Sequence, residues 1–175
     1  SSATTANDGG GRDSDARDPG DFVDANECGS NSAQNSSWHG THVAGTIAAV
    51  TNNSQGVAGV AYNAKIVPLR VLGKCGGTTS DIADAMIWAA GGSVSGVPTN
   101  ANPAKVLNLS LGGGGSCSNT SQAAINQAVN LGATVVVAAG NSGADVANFN
   151  PANCNNVVTV AATGQTGARA FYSNF

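Results

Sequence analysis

The runs Thr134–Ala139 and Val157–Ala161 are apolar almost without interruption, where a strand with one wet face would alternate. Strands of that kind are buried on both faces, which is characteristic of a parallel sheet whose crossovers lay helices against it. The stretch between and before them agrees. Ile125, Ala128 and Val129 form the stripe of a helix expected from about Thr120 to Leu131, and Gly132 stands where the C-terminus of that helix favours a left-handed residue. Upstream, a strand is read over Lys65–Leu72 and another over Lys105–Leu111. Between them a helix is expected over about Asp81–Ala90, with Ile82, Met86 and Ala89 or Ala90 on one face and Thr78 or Ser80 as its cap. A further helix is read from about Gly40 to Val50. This alternation with short connections predicts an α/β fold, a doubly wound three-layer sandwich with a mainly parallel sheet. Ligands of such sheets gather beyond the carboxyl ends of the strands. Ser110-Leu111-Gly112-Gly113 and Gly140-Asn141 both leave strands at that edge.

Composition narrows the function classes. At 175 residues the chain is sized for one domain or most of one, with no internal repeat and no second domain evident. Residues 1–37, rich in Ser, Asn, Asp and Gly, read as loop. A net charge of −3 with 10% charged residues offers no basic surface for nucleic acid or an anionic membrane, and the longest apolar run is too short to span a bilayer. Met86 is the only methionine, so the chain is expected to carry neither an initiator nor a signal peptide, and to be either processed or excised from something longer. The four cysteines, Cys28, Cys75, Cys117 and Cys154, contain no Cys-x-x-Cys pair. Their even number in a polar chain predicts two disulfides and an oxidising compartment. Three pairings are open; the sequential one, Cys28 with Cys75 and Cys117 with Cys154, is the expectation adopted.

Two residues stand out chemically. His39 opens a helical segment, Trp38-His39-Gly40-Thr41-His42-Val43-Ala44-Gly45-Thr46, in which Gly40 and Gly45 have the spacing of a close-packed helix. An exposed histidine there can shuttle protons near neutral pH, whereas His42, about one turn on, points elsewhere. A zinc site at the pair lacks the glutamate and the third ligand it would need. Asn141 follows the apolar strand in Ala138-Ala139-Gly140-Asn141-Ser142-Gly143. A carboxamide just beyond a strand end can donate to a developing oxyanion.

These two segments together resemble the subtilisin family of serine proteases, and the resemblance runs from Trp38 to Phe175. It implies a subtilisin-like fold, truncated here at both ends, and a secreted endopeptidase acting through a Ser-His-Asp triad. It makes His39 the general base and Asn141 the oxyanion donor. It also implies a substrate-binding segment at Ser110, Leu111 and Gly112, which with Ala138, Ala139 and Gly140 walls the primary specificity pocket. The stretch Gly73–Gly77, with Gly76 and Gly77, resembles the opposite edge strand, so that an extended peptide or protein substrate lies between two backbone segments. A monomer is expected.

Calcium enters by the same resemblance. Thr51-Asn52-Asn53-Ser54-Gln55-Gly56-Val57 is similar to the family's calcium loop, with Asn53 as the side-chain ligand. The Asp-rich run from Asn7 to Asp21 is similar to an acidic calcium loop of some secreted subtilases and offers Asp8, Asp13 and Asp18; it equally suits a solvated loop. The chain departs from the family pattern in two places. No Asp-Thr-Gly precedes His39 and no Gly-Thr-Ser-Met-Ala follows Asn141, and Ala170–Phe175 resembles a strand that lies before the nucleophile. Both ends therefore read as cut: residues 1–175 are expected to be a partial subtilisin-like catalytic domain, with a loop-rich, Asp-rich segment at 1–37 and the family core at 38–175, and the isolated chain is expected to be inactive. The alternatives are a non-catalytic peptide-binding module and a calcium-stabilised structural module.

Overall fold

The computed structural model describes residues 3–175. In order these form α1 (Ala3–Ala6), α2 (His39–Ala48), α3 (Thr79–Ala89), β1 (Val106–Leu109), β2 (Gly113–Gly114), α4 (Asn119–Asn130), β3 (Thr134–Ala138), a 3₁₀ turn (Val146–Asn148), β4 (Phe149–Asn150) and β5 (Val157–Val160). Contacts group into two compact units, one ending at Asp81 and one running from Ile82 to Phe175. No helix among the described residues is long and apolar enough to cross a membrane.

The second unit is built on a parallel sheet in the order β1-β3-β5. Its register sets Leu107 beside Val135 and Leu109 beside Val137. Side chains two apart along a strand share a face, so these four residues form one buried apolar surface. Ala83, Met86 and Ala89 from α3 and Ala124, Ile125 and Ala128 from α4 join it in a single core cluster. Val106, Val158 and Val160 on the other face are half exposed or more.

Local chemistry explains the helix limits. Ser118 caps α4, its Oγ accepting the Ser121 N–H at 3.0 Å. At the far end Gly132 takes φ +87°, and Ala133 N–H returns to the Ala128 carbonyl at 3.1 Å, closing the helix as expected. Thr78 caps α3: its Oγ1 accepts the Asp81 N–H at 3.2 Å and donates to Asp81 Oδ2 at 2.9 Å. The short antiparallel ribbon of β2 with β4, Gly113 opposite Asn150, is not foreshadowed by the sequence, because a Gly-Gly strand carries no apolar pattern.

In the first unit α2 ends by receiving the returning chain. The N–H groups of Gly59, Val60 and Ala61 donate to the carbonyls of Ala49, Thr46 and Ile47 at 3.0, 3.0 and 2.7 Å, which satisfies orphan carbonyls of the last turn. Residues 50–58 are the loop enclosed by that return. No residue of α2 is buried, and Gly40 and Gly45 meet no neighbour within van der Waals reach, so their close-packing spacing has no partner among the described residues. The strand expected over Lys65–Leu72 is irregular chain: a strand needs a ladder partner, and none of the described residues supplies one. Residues 7–37 are loop, as expected, apart from one antiparallel bridge, Val23 with Gln34, and α1 is a single turn before them.

Both disulfides have the sequential pairing, Cys28–Cys75 and Cys117–Cys154. Each lies within one unit. The first joins the turn inside the Val23–Gln34 bridge to the Gly73–Gly77 segment, where Lys74 also pairs with Glu27 at 2.5 Å. The second joins the entry of α4 to the chain between β4 and β5.

Two stability measurements follow. Ile125→Ala, at a site with no exposed surface, lowers unfolding free energy by about 2–5 kcal/mol. Replacing both Cys117 and Cys154 by Ser lowers it by about 2–4 kcal/mol. Urea denaturation of the full-length protein reads both changes.

Candidate active site

In the second unit the sheet register creates the site. β1 and β3 are adjacent and parallel, Leu109 opposite Val137, so their continuations leave at the same edge. This brings Ser110, Leu111 and Gly112 alongside Ala138, Ala139 and Gly140. The ladder carries on past β3, with Ala139 N–H donating to the Val160 carbonyl at 2.9 Å. Gly140, at φ +106°, then turns the chain away, and Asn141 is exposed. Gly112 lies against the β2–β4 ribbon: a Cβ there would be 3.1 Å from the Asn150 carbonyl oxygen.

The loop that carries Asn141 is gripped by three of the last four residues, Tyr172, Asn174 and Phe175. Gly143 N–H donates to the Tyr172 carbonyl at 2.8 Å, Asn174 N–H to the Gly140 carbonyl at 3.0 Å, and Phe175 N–H to the Ala144 carbonyl at 3.1 Å. The Asn174 side chain, fully buried, adds three bonds to Ala139, Ser142 and Ala144. Ala170–Phe175 is thus a turn and strap, not the strand its resemblance implied; Ser173 N–H closes on the Ala170 carbonyl at 3.0 Å. Sequence reasoning passed over Asn174 because a lone amide among aromatics has no periodic or motif signal.

In the first unit His39 is the first residue of α2 and is exposed. The preceding Trp38 takes the left-handed conformation at φ 51° and supplies no side-chain cap. Ser37 substitutes for it, its Oγ accepting the His39 N–H at 3.3 Å. Asp21 holds Ser37 in turn, accepting from its N–H at 2.6 Å and from its hydroxyl at 2.7 Å. Those bonds to Ser37 keep the Asp21 carboxyl below the usual carboxylate range. A carboxylate beside a helix N-terminus is also favoured by the helix dipole. His42 is exposed as well.

Gly76 and Gly77 were expected on an extended edge. Gly73 and Gly76 instead exchange backbone bonds of 2.9 and 3.0 Å across a tight turn, with Cys75 at φ 67°. Gly77 follows this turn. The reciprocal bonds and the Cys28 tether hold the segment folded on itself.

The calcium expectation divides in two. Loop 50–58 curls around an open pocket of about 250 Å³ lined by Val50 to Ala58. Asn52, Ser54 and Gly56 all have positive φ, which coils the loop tightly, and Asn53 Oδ1 accepts the Gln55 N–H at 3.0 Å. Amide, hydroxyl and carbonyl oxygens are the hard donors calcium takes, so this donor set fits the ion in kind. The acidic segment is engaged with the chain itself. Asp8 and Asp18 flank the Arg70 guanidinium at 3.5 and 3.6 Å, and Asp13 Oδ1 is engaged by the Asp15 N–H at 2.7 Å. The cation between these carboxylates is Arg70 itself. Among the described residues no group of three or more His, Cys, Asp or Glu side chains is arranged around a metal position.

The sequence profile of the subtilase family matches residues 6–175. The chain belongs to the subtilase family. The match reaches upstream of Trp38 and includes the acidic segment. An extracellular protease of Xanthomonas campestris pv. campestris is 68% identical over 176 residues, covering the whole chain and 30% of that protein. An extracellular basic protease of Dichelobacter nodosus is 56% identical over 180 residues, again covering the whole chain and 30% of the relative. A solved protease from Pseudoalteromonas arctica superposes with a TM-score of 0.97 at 71% identity, over 99% of this chain and 51% of that one. A cold-adapted subtilisin-like serine proteinase aligns over 78% of the chain and 45% of its own, at TM-score 0.62 and 38% identity. The subtilase chain therefore spans about a third of the curated relatives and about half of the solved ones.

The Asp21–Ser37 clasp has a pH signature. The folded carboxyl is depressed, so its contribution is present above the unfolded value near pH 3.9 and is lost as pH falls through the folded value. Asp21→Asn destabilises the protein by about 1 kcal/mol at pH 7, allowing for partial solvent screening, and flattens the loss of stability below about pH 4. Urea midpoints of parent and variant between pH 7 and pH 2 check this.

Proposed function

We propose that the chain forms part of the catalytic domain of a secreted serine endopeptidase that cleaves extended peptides or proteins. The observation that carries this reading is the parallel register of β1 and β3. It supports a cleft whose wall is Ser110, Leu111, Gly112, Ala138, Ala139 and Gly140, with an exposed Asn141 at its end. The names of the extracellular relatives support secretion, as do two disulfides.

The roles follow from the chemistry of the groups. Attack on a peptide carbonyl by a serine hydroxyl needs a base to remove the hydroxyl proton and a donor to meet the charge developing on oxygen. His39 is the base, accepting that proton and returning it to the leaving amine. Asn141 donates its carboxamide N–H to the oxyanion, and no side chain among the described residues competes for that amide. The nucleophilic serine and the orienting aspartate are supplied by the longer polypeptide, since no residue of this chain stands in either context. Backbone of Ser110 to Gly112 pairs with the substrate main chain. The 175-residue stretch is by itself inactive. Calcium, when bound at loop 50–58, is held by Asn53 and the loop's carbonyls and supplies rigidity rather than chemistry.

In the full-length protein His39→Ala lowers kcat by about 10⁴-fold or more. Asn141→Ala lowers it by about 10²–10³-fold, the range established for the oxyanion donor of subtilisin itself, with KM little changed. Peptide binding with no turnover in the unaltered full-length protein would overturn the protease reading and favour a binding module. Chelation by EDTA lowers Tm by about 5 °C, and Asn53→Ala abolishes that difference in a thermal melt.

A further inference from the structure

Asn174 makes a set of contacts more specific than packing alone requires. Its side chain has no exposed surface, and with Ser173 it is among the largest fully buried side chains, beside Ile125, Val135 and Val137. Its Nδ2 donates to the Ala139 carbonyl at 2.8 Å. Its Oδ1 accepts from the N–H groups of Ser142 at 2.9 Å and Ala144 at 3.2 Å. Its own N–H donates to the Gly140 carbonyl at 3.0 Å. Residues 139, 140, 142 and 144 are therefore each held by this one residue, and Gly143 is held by Tyr172. The residue left free in the middle is Asn141.

The orientation of the amide is fixed by its neighbours. Turned over, it would set an NH₂ against two N–H donors and an oxygen against a carbonyl. A residue here must donate from one atom and accept two N–H groups at another, on a short stem and without charge, which an asparagine carboxamide does and a single hydroxyl oxygen does not. Gly140 completes the fit, because a Cβ at that position would come within 2.5 Å of Asn174 Nδ2. The strap is anchored behind the amide as well. Ser173 Oγ accepts the Ala162 N–H at 2.8 Å and donates to the Asn174 carbonyl at 2.9 Å, while Arg169 Nη1 donates to the Ser173 carbonyl at 2.6 Å. Ala162 lies just past β5, so the strap is tied to the same sheet whose central strand leads into Asn141.

We propose that Asn174 is the positioning residue of the oxyanion donor: its buried carboxamide locks residues 139–144 so that the Asn141 amide is pre-aimed at the developing charge. The inference rests on the role assigned to Asn141 above. Oxyanion stabilisation acts through donors that need no reorganisation during the reaction, and a displacement of about 1 Å in such a group costs on the order of a hundredfold. Asn174 touches neither substrate nor the reacting atoms. Its effect must therefore pass through Asn141 and appear in turnover rather than in ground-state binding.

The test is a double-mutant cycle in the full-length enzyme, with kcat and KM measured per active site titrated by an irreversible serine-directed inhibitor. Asn174→Ala is expected to lower kcat by about 10- to 100-fold with KM within about twofold. In an Asn141→Ala background the same substitution is expected to change kcat by less than about threefold, because the group it positions is gone. Asn174→Asp keeps the acceptor and loses the donor, and Asn174→Ser is the milder truncation; either serves where the alanine variant fails to fold, and both are expected to lower kcat at unchanged KM. Wild-type kcat in a folded Asn174 variant overturns the proposal, as does a loss that adds in full to that of Asn141→Ala. Unchanged kcat for Asn141→Ala alone would instead bring down the oxyanion reading, and the proposal with it.

Discussion

The parallel pairing of β1 with β3, continued by β3 with β5, is the constraint on which the second unit depends. Parallel ladders send successive strands out at the same edge, and a one-residue slip would move Leu107, Leu109, Val135 and Val137 from the core to solvent. Hydrophobic burial thus sets the register, and the register sets which loops meet. Ser110–Gly112 and Ala138–Asn141 are neighbours because Leu109 must lie beside Val137. The chemistry at the edge is a consequence of the packing beneath it.

The groups at that edge are held by hydrogen bonds from outside the sheet. Asn174 and its neighbours bind the backbone on both sides of Asn141 and leave its carboxamide unengaged. In the first unit Ser37, backed by Asp21, meets the first N–H of the helix that presents His39. Each device spends its polar groups on its neighbours and leaves the side chain beside it, His39 or Asn141, exposed. The two differ in exposure. The Asn174 network is sealed from water and so is intolerant of a missing partner, whereas the Asp21 clasp is partly solvated and correspondingly weaker.

Helix limits were readable because they follow local rules. Thr78, Ser118 and Gly132 act where capping chemistry requires them, and α3 and α4 begin and end within two residues of their expected limits. Strand expectations failed where the ladder was missing. Lys65–Leu72 has the apolar content of a strand but no paired neighbour among the described residues, and strand formation is a pairwise property. The acidic segment was ambiguous for an electrostatic reason. Asp8 and Asp18 attract a cation, and sequence cannot say whether that cation is a metal or an arginine more than 50 residues away. Asn174 was illegible because its significance lies in four partners, at positions 139, 140, 142 and 144, none of them near it in the chain.

The amino-acid sequence alone determined the family and the parallel α/β class and singled out His39 and Asn141 as candidates, because those depend on short motifs and on apolar periodicity, which are local. It narrowed the cysteine pairing to three possibilities. Tertiary structure alone decided which pairing forms, that Arg70 occupies the space between Asp8 and Asp18, that Gly73–Gly76 is a closed turn, and that a buried amide at position 174 governs the loop before it. Those outcomes turn on which distant groups come within hydrogen-bond or ion-pair distance, and that proximity is set by the packing of the whole chain.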